Sequence, residues 1–214
     1  MAVVGPALRR HPCLTRAGRW AQALQHAQQH KGIGQRLLDG RQVAIFAQAA
    51  DHDFDAAHSM LASTLTPTPW EEAVAACLAV LCRRLADQQA DTDITKMVDR
   101  YHRLEPAPEH TVFRVRLGLC VLDLATDAGE TPQVAERIVR DALESADAYA
   151  AHAVISHQTC HAHTTPGNSR ALTEIVRVAG LGRETIPAGM LDDLMESVRT
   201  SEASIVDALA AQNP

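Results

Sequence analysis

Aromatic side chains are scarce in this 214-residue chain, where phenylalanine, tyrosine and tryptophan together make 3%. A core with few rings is filled by small aliphatic groups, which lets neighbouring helices approach closely. Excess positive charge is missing as well. A net charge of -6 and an isoelectric point near 6.0 argue against direct nucleic-acid binding, which needs a basic face. No apolar run approaches eighteen residues, so no membrane span is expected. Gly5, Pro6, Arg9, Arg10 and His11 interrupt the N-terminus before it forms the apolar stretch of a secretory signal. The five cysteines (Cys13, Cys77, Cys82, Cys120 and Cys160) are odd in number and contain no CxxC pair. That pattern excludes a disulfide framework and fits a reducing, cytoplasmic compartment.

What is present is the composition of a folded helical protein. Hydrophobic residues make 46% and charged residues 21%, a globular balance. Alanine, leucine, glutamine and arginine favour helix, and β-branched runs are short. The basic residues are arginines apart from Lys31 and Lys96, and with the many alanines this usage matches coding from a GC-rich bacterial genome. About ten helices are expected.

Trp20, Ala23, Leu24 and Ala27 mark one face of a helix over Arg19 to His30, and Gly32 and Gly34 end it. A second covers Gln35 to Ala50, with Gly40 as a point where it could divide. A third covers Phe54 to Ser63. Thr68, Pro69 and Glu71 supply a cap, a proline at the first helical position and an acid three after the cap. Trp70, Ala73, Val74, Cys77, Leu78, Leu81 and Leu85 then form a single apolar stripe. Asp91 opens a helix through Leu104, and Pro106 and Pro108 make the segment after it a linker. Thr111 to Ala125 reads as helix or, by the alternation of Phe113, Val115 and Leu117, as strand. Helices follow over Pro132 to Ser145, Ala148 to about His161, Ser169 to Ala179, and from Ala188 onward.

Residues 18–24 and 52–58 align at an offset of 34 residues, placing Trp20 on Phe54, Ala23 on Ala57 and Ala27 on Leu61; Pro69 stands twelve residues beyond Ala57. This period, with its small residue, apolar residue and closing proline, resembles the tetratricopeptide repeat. Gln35 takes the place of the proline in the first unit. Arg41, Ala44, Ile45 and Gln48 stand where the family has an aromatic, Leu, Gly and an aromatic. The stretch from Leu37 to Gln42, followed by helical pairs, is similar to the helical region of actinobacterial regulators that carry a separate DNA-binding domain. The resemblance implies an all-α fold of antiparallel helix pairs stacked as a right-handed solenoid. The expected organisation is an irregular tail over 1–17, a helical-repeat domain over 18–187, and a C-terminal helix over 188–214 that caps the stack or dimerises.

Two readings of function follow. A solenoid presents a concave surface that receives a peptide or small ligand without chemistry. Gln42, Phe46, Gln48, Arg83, Arg114 and Arg116 are the candidate lining residues, and their arginines would suit an acidic peptide or a terminal carboxylate. The role is then regulatory or scaffolding, with a protein, peptide or small-molecule partner. The alternative is an enzyme of small-molecule metabolism, or a metal-binding protein, using the segment from His152 to His163. On a continuous helix His157 and His161 share one side, as paired zinc ligands do, and Cys160 lies three from His157. Position 158 is Gln, so the glutamate of a zinc-protease helix is missing. No nucleophile, phosphate loop or acid pair with a recognised motif is present, so no catalytic residue is assigned.

Overall fold

The computed structural model describes residues 11–125, 129, 131–182, 185–186 and 188–211. Among them the chain is all-α, with twelve α-helices. They are α1 (His11–Arg16), α2 (Trp20–Gln29), α3 (Asp39–Ala50), α4 (Phe54–Ala62), α5 (Pro69–Leu85) and α6 (Asp91–His102). After a single 3-10 turn at Pro108–His110 come α7 (Thr111–Leu124), α8 (Thr131–Ser145), α9 (Ala148–Ser156), α10 (Gln158–Ala162), α11 (Pro166–Ala179) and α12 (Ala188–Ala211). The only β-type pairing among the described residues is an isolated parallel bridge between Arg36 and Leu65.

Local chemistry explains most boundaries. Asp53 accepts from the Ala56 amide, Asp147 from the amides of Tyr149 and Ala150, and Thr165 from that of Asn168, so each caps the helix after it. Pro69 and Pro166 occupy the first helical turn, where a missing N–H costs nothing. Gly180 ends α11 in the left-handed region that glycine enters freely.

The start of α5 departs from the expected capping box. The Thr68 hydroxyl does not cap the backbone but donates to Glu71 Oε2 at 2.5 Å. The buried Glu71 carboxylate also accepts both prongs of Arg36, at 3.0 and 3.1 Å. This fork ties the extended segment 35–38 to α5, so α3 begins at Asp39 rather than Gln35. Gly40 does not divide α3; it sits in the first turn, where any Cβ would collide with the Gly32 carbonyl.

Contacts run in sequence order. Helix α3 packs on α2, α4 and α5; α5 on α4, α6 and α7; α7 on α6, α8 and α9; and α9 on α8, α10 and α11. The odd-numbered helices α3 to α9 thus touch one another in a row, and α4, α6 and α8 each bridge two of them. One apolar cluster runs from Ala73 on α5 to Leu172 on α11. A smaller, alanine-rich set (Ala23, Ala27, Ala44, Ala47 and Ala57) closes α2 to α4.

Helix α7 is central, and helix is the correct reading of its ambiguous sequence. Val115, Leu117, Gly118, Leu119, Val121, Leu122 and Leu124 are all buried because helices press on it from several sides, and burial over most of its circumference erases the amphipathic signal. At Gly118 a Cβ would meet Tyr101 Oη and come within 2.6 Å of Ile138 Cγ1, so α6, α7 and α8 meet there without a side chain between them.

Beside this contact Arg114 on α7 pairs with Asp141 on α8 at 2.9 Å, both buried. The Arg137 guanidinium lies 5.2 Å from the Tyr101 ring centre and donates to the carbonyls of His102 and Leu104, which closes the C-terminal end of α6. Burial first, and then the Asp141 charge, push the Tyr101 phenol well above its ordinary value, so it stays neutral.

The ends of the chain differ from expectation. Residues 11–16 are helical and pack on α2, where an irregular tail was expected; residues 1–10 lie outside those described. Helix α12 does not cap the stack, since residues 188–209 are exposed throughout.

Candidate functional site

An open hollow of about 380 Å3 lies where α1, α2, α3 and α5 meet, lined by Thr15, Trp20, Asp39, Gln42, Val43, Phe46 and Leu78. Asp39, Gln42, Val43 and Phe46 step at three and four residues along α3, so one face of that helix forms the floor. The Trp20 and Phe46 rings make the apolar wall, with centres 4.1 Å apart and planes tilted by 56°. Gln42 Nε2 donates to the Leu37 carbonyl at 3.1 Å, which holds the amide in one orientation. The hollow is thus apolar inside with a hydroxyl, an amide and a carboxylate among its lining groups. Its volume falls within the range of small-molecule sites and suits one large side chain or a compact ligand.

The residues anticipated from sequence do not share one surface. Gln42 and Phe46 come together in this hollow. Gln48 stands on the other flank of α3, half-buried, with its Oε1 enclosed and without a hydrogen-bond partner. Arg83 lines a separate hollow of about 410 Å3 with Phe54, His58, Leu61 and Cys82. There it pairs with Asp93 at 2.5 Å. Arg114 is buried in the ion pair with Asp141 and reaches no groove. Arg116, two residues along, is exposed, because positions two apart on a helix face nearly opposite ways. The expected cluster of arginines therefore does not form.

Helix α7 keeps one exposed stripe, Phe113, Arg116, Cys120 and Asp123. It looks toward α5 and α9. Phe113 meets Trp70 edge-on at 5.9 Å, and Asp123 Oδ2 lies 3.1 Å from His157 Nε2. The buried Cys77 thiol of α5 meets Cys120. That contact raises Cys77, helped by burial, and lowers Cys120. Sequence reasoning missed this pair because a separation of 43 positions leaves no local motif.

The proposed metal face rests on a helix that the structure breaks. His157 is extended, with φ -96° and ψ 110°, between α9 and α10. It caps α10 by accepting from the Cys160 amide through Nδ1 at 3.3 Å, while Nε2 meets Asp123. His161 instead approaches Ser169 Oγ at 3.4 Å. Cys160 is fully buried, and burial pushes its thiol up to about 11, away from the thiolate form that binds metal. Among the described residues no three His, Cys, Asp or Glu side chains are grouped to hold an ion.

No protein-family model, curated protein or solved structure matches the chain. Trp20, Asp39 and Leu78 are lining residues that sequence reasoning did not find. The step from Asp39 through Gln42 to Phe46 was the available signal, once α3 is known to start at Asp39.

Proposed function

We propose that the helix pairs stack as a right-handed, tetratricopeptide-like solenoid, and that the chain is a non-catalytic binding module with a regulatory or scaffolding role. The fold-level support is the order of contacts, in which each odd-numbered helix from α3 to α9 touches the helix before it, the helix after it and the next odd-numbered helix. Such stacking gives each unit contacts only with its neighbours and leaves the row of odd helices to receive a ligand.

The observation that carries the functional reading is the hollow in which Trp20, Phe46 and Leu78 supply an apolar socket beside Gln42 and Asp39. A peptide inserting one leucine-sized side chain fits this socket. The amide of Gln42, with Nε2 held by the Leu37 carbonyl, offers its Oε1 as acceptor to the peptide backbone. The carboxylate of Asp39 and the net charge of -6 favour a neighbouring lysine or arginine on the ligand. A basic amphipathic peptide thereby replaces the acidic one that exposed arginines would have recruited.

Isothermal titration of a library of leucine-bearing peptides, basic and acidic, tests this reading. Basic members bind the full chain, and Phe46→Ala weakens them at least tenfold with unchanged far-ultraviolet circular dichroism. Equal binding by Phe46→Ala, or a preference for the acidic members, contradicts it.

A further inference from the structure

Helix α12 carries an interaction surface independent of the hollow. Met190, Leu191, Leu194, Met195, Val198, Ile205, Val206 and Leu209 are between 42% and 61% exposed along its 24 residues. At about 100° per residue they gather on one side. Asp192, Asp193, Glu196, Thr200 and Asp207 occupy the other. An isolated helix of this length, about 36 Å, gains little stability by itself in water, and an exposed apolar stripe of eight large side chains marks a contact.

We propose that this stripe pairs with α12 of a second copy of the chain, antiparallel and centred on Thr200. The charges select that partner and that direction. Arg199 is the one basic residue of α12, and it lies on the same flank as Glu202, which interrupts the apolar stripe. In an antiparallel pair like flanks face each other, so Arg199 of each copy meets the partner's Glu202 on either side of the two-fold axis. A parallel pair would set opposite flanks together, so Arg199 would face the partner's Ser197 and Ser201 and find no opposite charge.

The same register matches the apolar groups. Leu191 comes opposite the partner's Leu209, Leu194 opposite the partner's Val206, and Met195 opposite the partner's Ile205. The remaining acids, Asp192, Asp193, Glu196 and Asp207, stay on the outer side of both helices. Covering eight half-exposed side chains on each copy removes on the order of 800 Å2 of apolar surface. With the flanking polar atoms the total reaches about 1,200 Å2, the lower bound of a specific interface. The dimer is accordingly reversible and dependent on concentration.

Sedimentation equilibrium of the full chain between 1 and 200 µM, with far-ultraviolet circular dichroism to follow folding, tests the pairing. The native chain shifts from monomer to dimer over that range. Arg199→Glu and Glu202→Arg each raise the dissociation constant at least tenfold, and the combined R199E/E202R variant restores it, because the exchanged charges meet again. A native chain that stays monomeric at 200 µM, including one that instead takes up phosphatidylcholine vesicles, overturns the proposal. So does a double variant no better than either single change, since that outcome removes the antiparallel register.

Discussion

Helices α7 and α12 are both rich in aliphatic residues, yet one is pressed by its neighbours from several sides and the other is exposed from residue 188 to 209. On α7 the apolar positions run nearly all round, and its two informative residues are the ones that do not fit, Gly118 and Arg114. On α12 the apolar positions form one stripe, and the misfit is Glu202 within it. Hydrophobic content states how much surface seeks cover. Where that cover comes from is decided by the polar and missing side chains, which admit one arrangement of neighbours and reject others.

Substitutions at the two helices should separate cleanly. Arg114→Met strands the Asp141 carboxylate in the core, with the Arg137 guanidinium at 3.8 Å as its remaining charged neighbour. A loss of about 3–5 kcal/mol in urea unfolding is expected. The double variant Arg114→Met/Asp141→Leu recovers most of it, since apolar replacement of both partners removes the unpaired charge. Gly118→Ala forces α7 away from Tyr101 and Ile138, and costs about 1–3 kcal/mol. A cap on α9 is worth less: Asp147→Ala removes the acceptor for two amides and should cost about 1 kcal/mol in the same assay. Val198→Glu on α12 changes unfolding by less than about 0.5 kcal/mol, while weakening self-association. A large stability loss there would mean that α12 packs on its own body and that the contrast with α7 fails.

A pH series sharpens the picture at the start of α5. The Arg36 fork, followed by the Thr68 hydroxyl, holds the Glu71 carboxyl below its ordinary value of 4.5. A depressed carboxyl pKa contributes stability that is present above the unfolded value and lost as pH falls through the folded one. Melting temperature should therefore drop on acidification below pH 4.5, and Glu71→Gln should flatten that part of the curve. An unchanged acid limb would show that the pair with Arg36 does not couple to folding.

Much of the fold was legible because its signals are local. Proline, threonine and aspartate at the starts of α4, α5 and α9 sit within three residues of what they satisfy, and glycine ends α11 by its own backbone freedom, whereas α11 starts at Pro166 rather than the expected Ser169. The break at His157 had no such marker. No proline or glycine stands there, and the ring caps α10 while reaching Asp123, 34 residues away. Distance along the chain likewise hid the difference between Arg114 and Arg116, because Asp141 lies 27 residues on. Of the candidate site, Gln42 and Phe46 were readable from one helix face. Trp20 and Leu78 were not, since only the packing of α2 and α5 against α3 brings them to the same hollow.

The binding role stands most directly on the fluorescence of Trp20. In a Trp70→Phe background Trp20 is the single indole of the chain and forms a wall of the hollow with Phe46. Titration with a basic leucine-bearing peptide should shift and change its emission saturably, and Leu78→Glu should abolish the response without altering the helical content. A peptide that binds with no change at Trp20, or whose response survives Leu78→Glu, would place the ligand elsewhere and contradict the account.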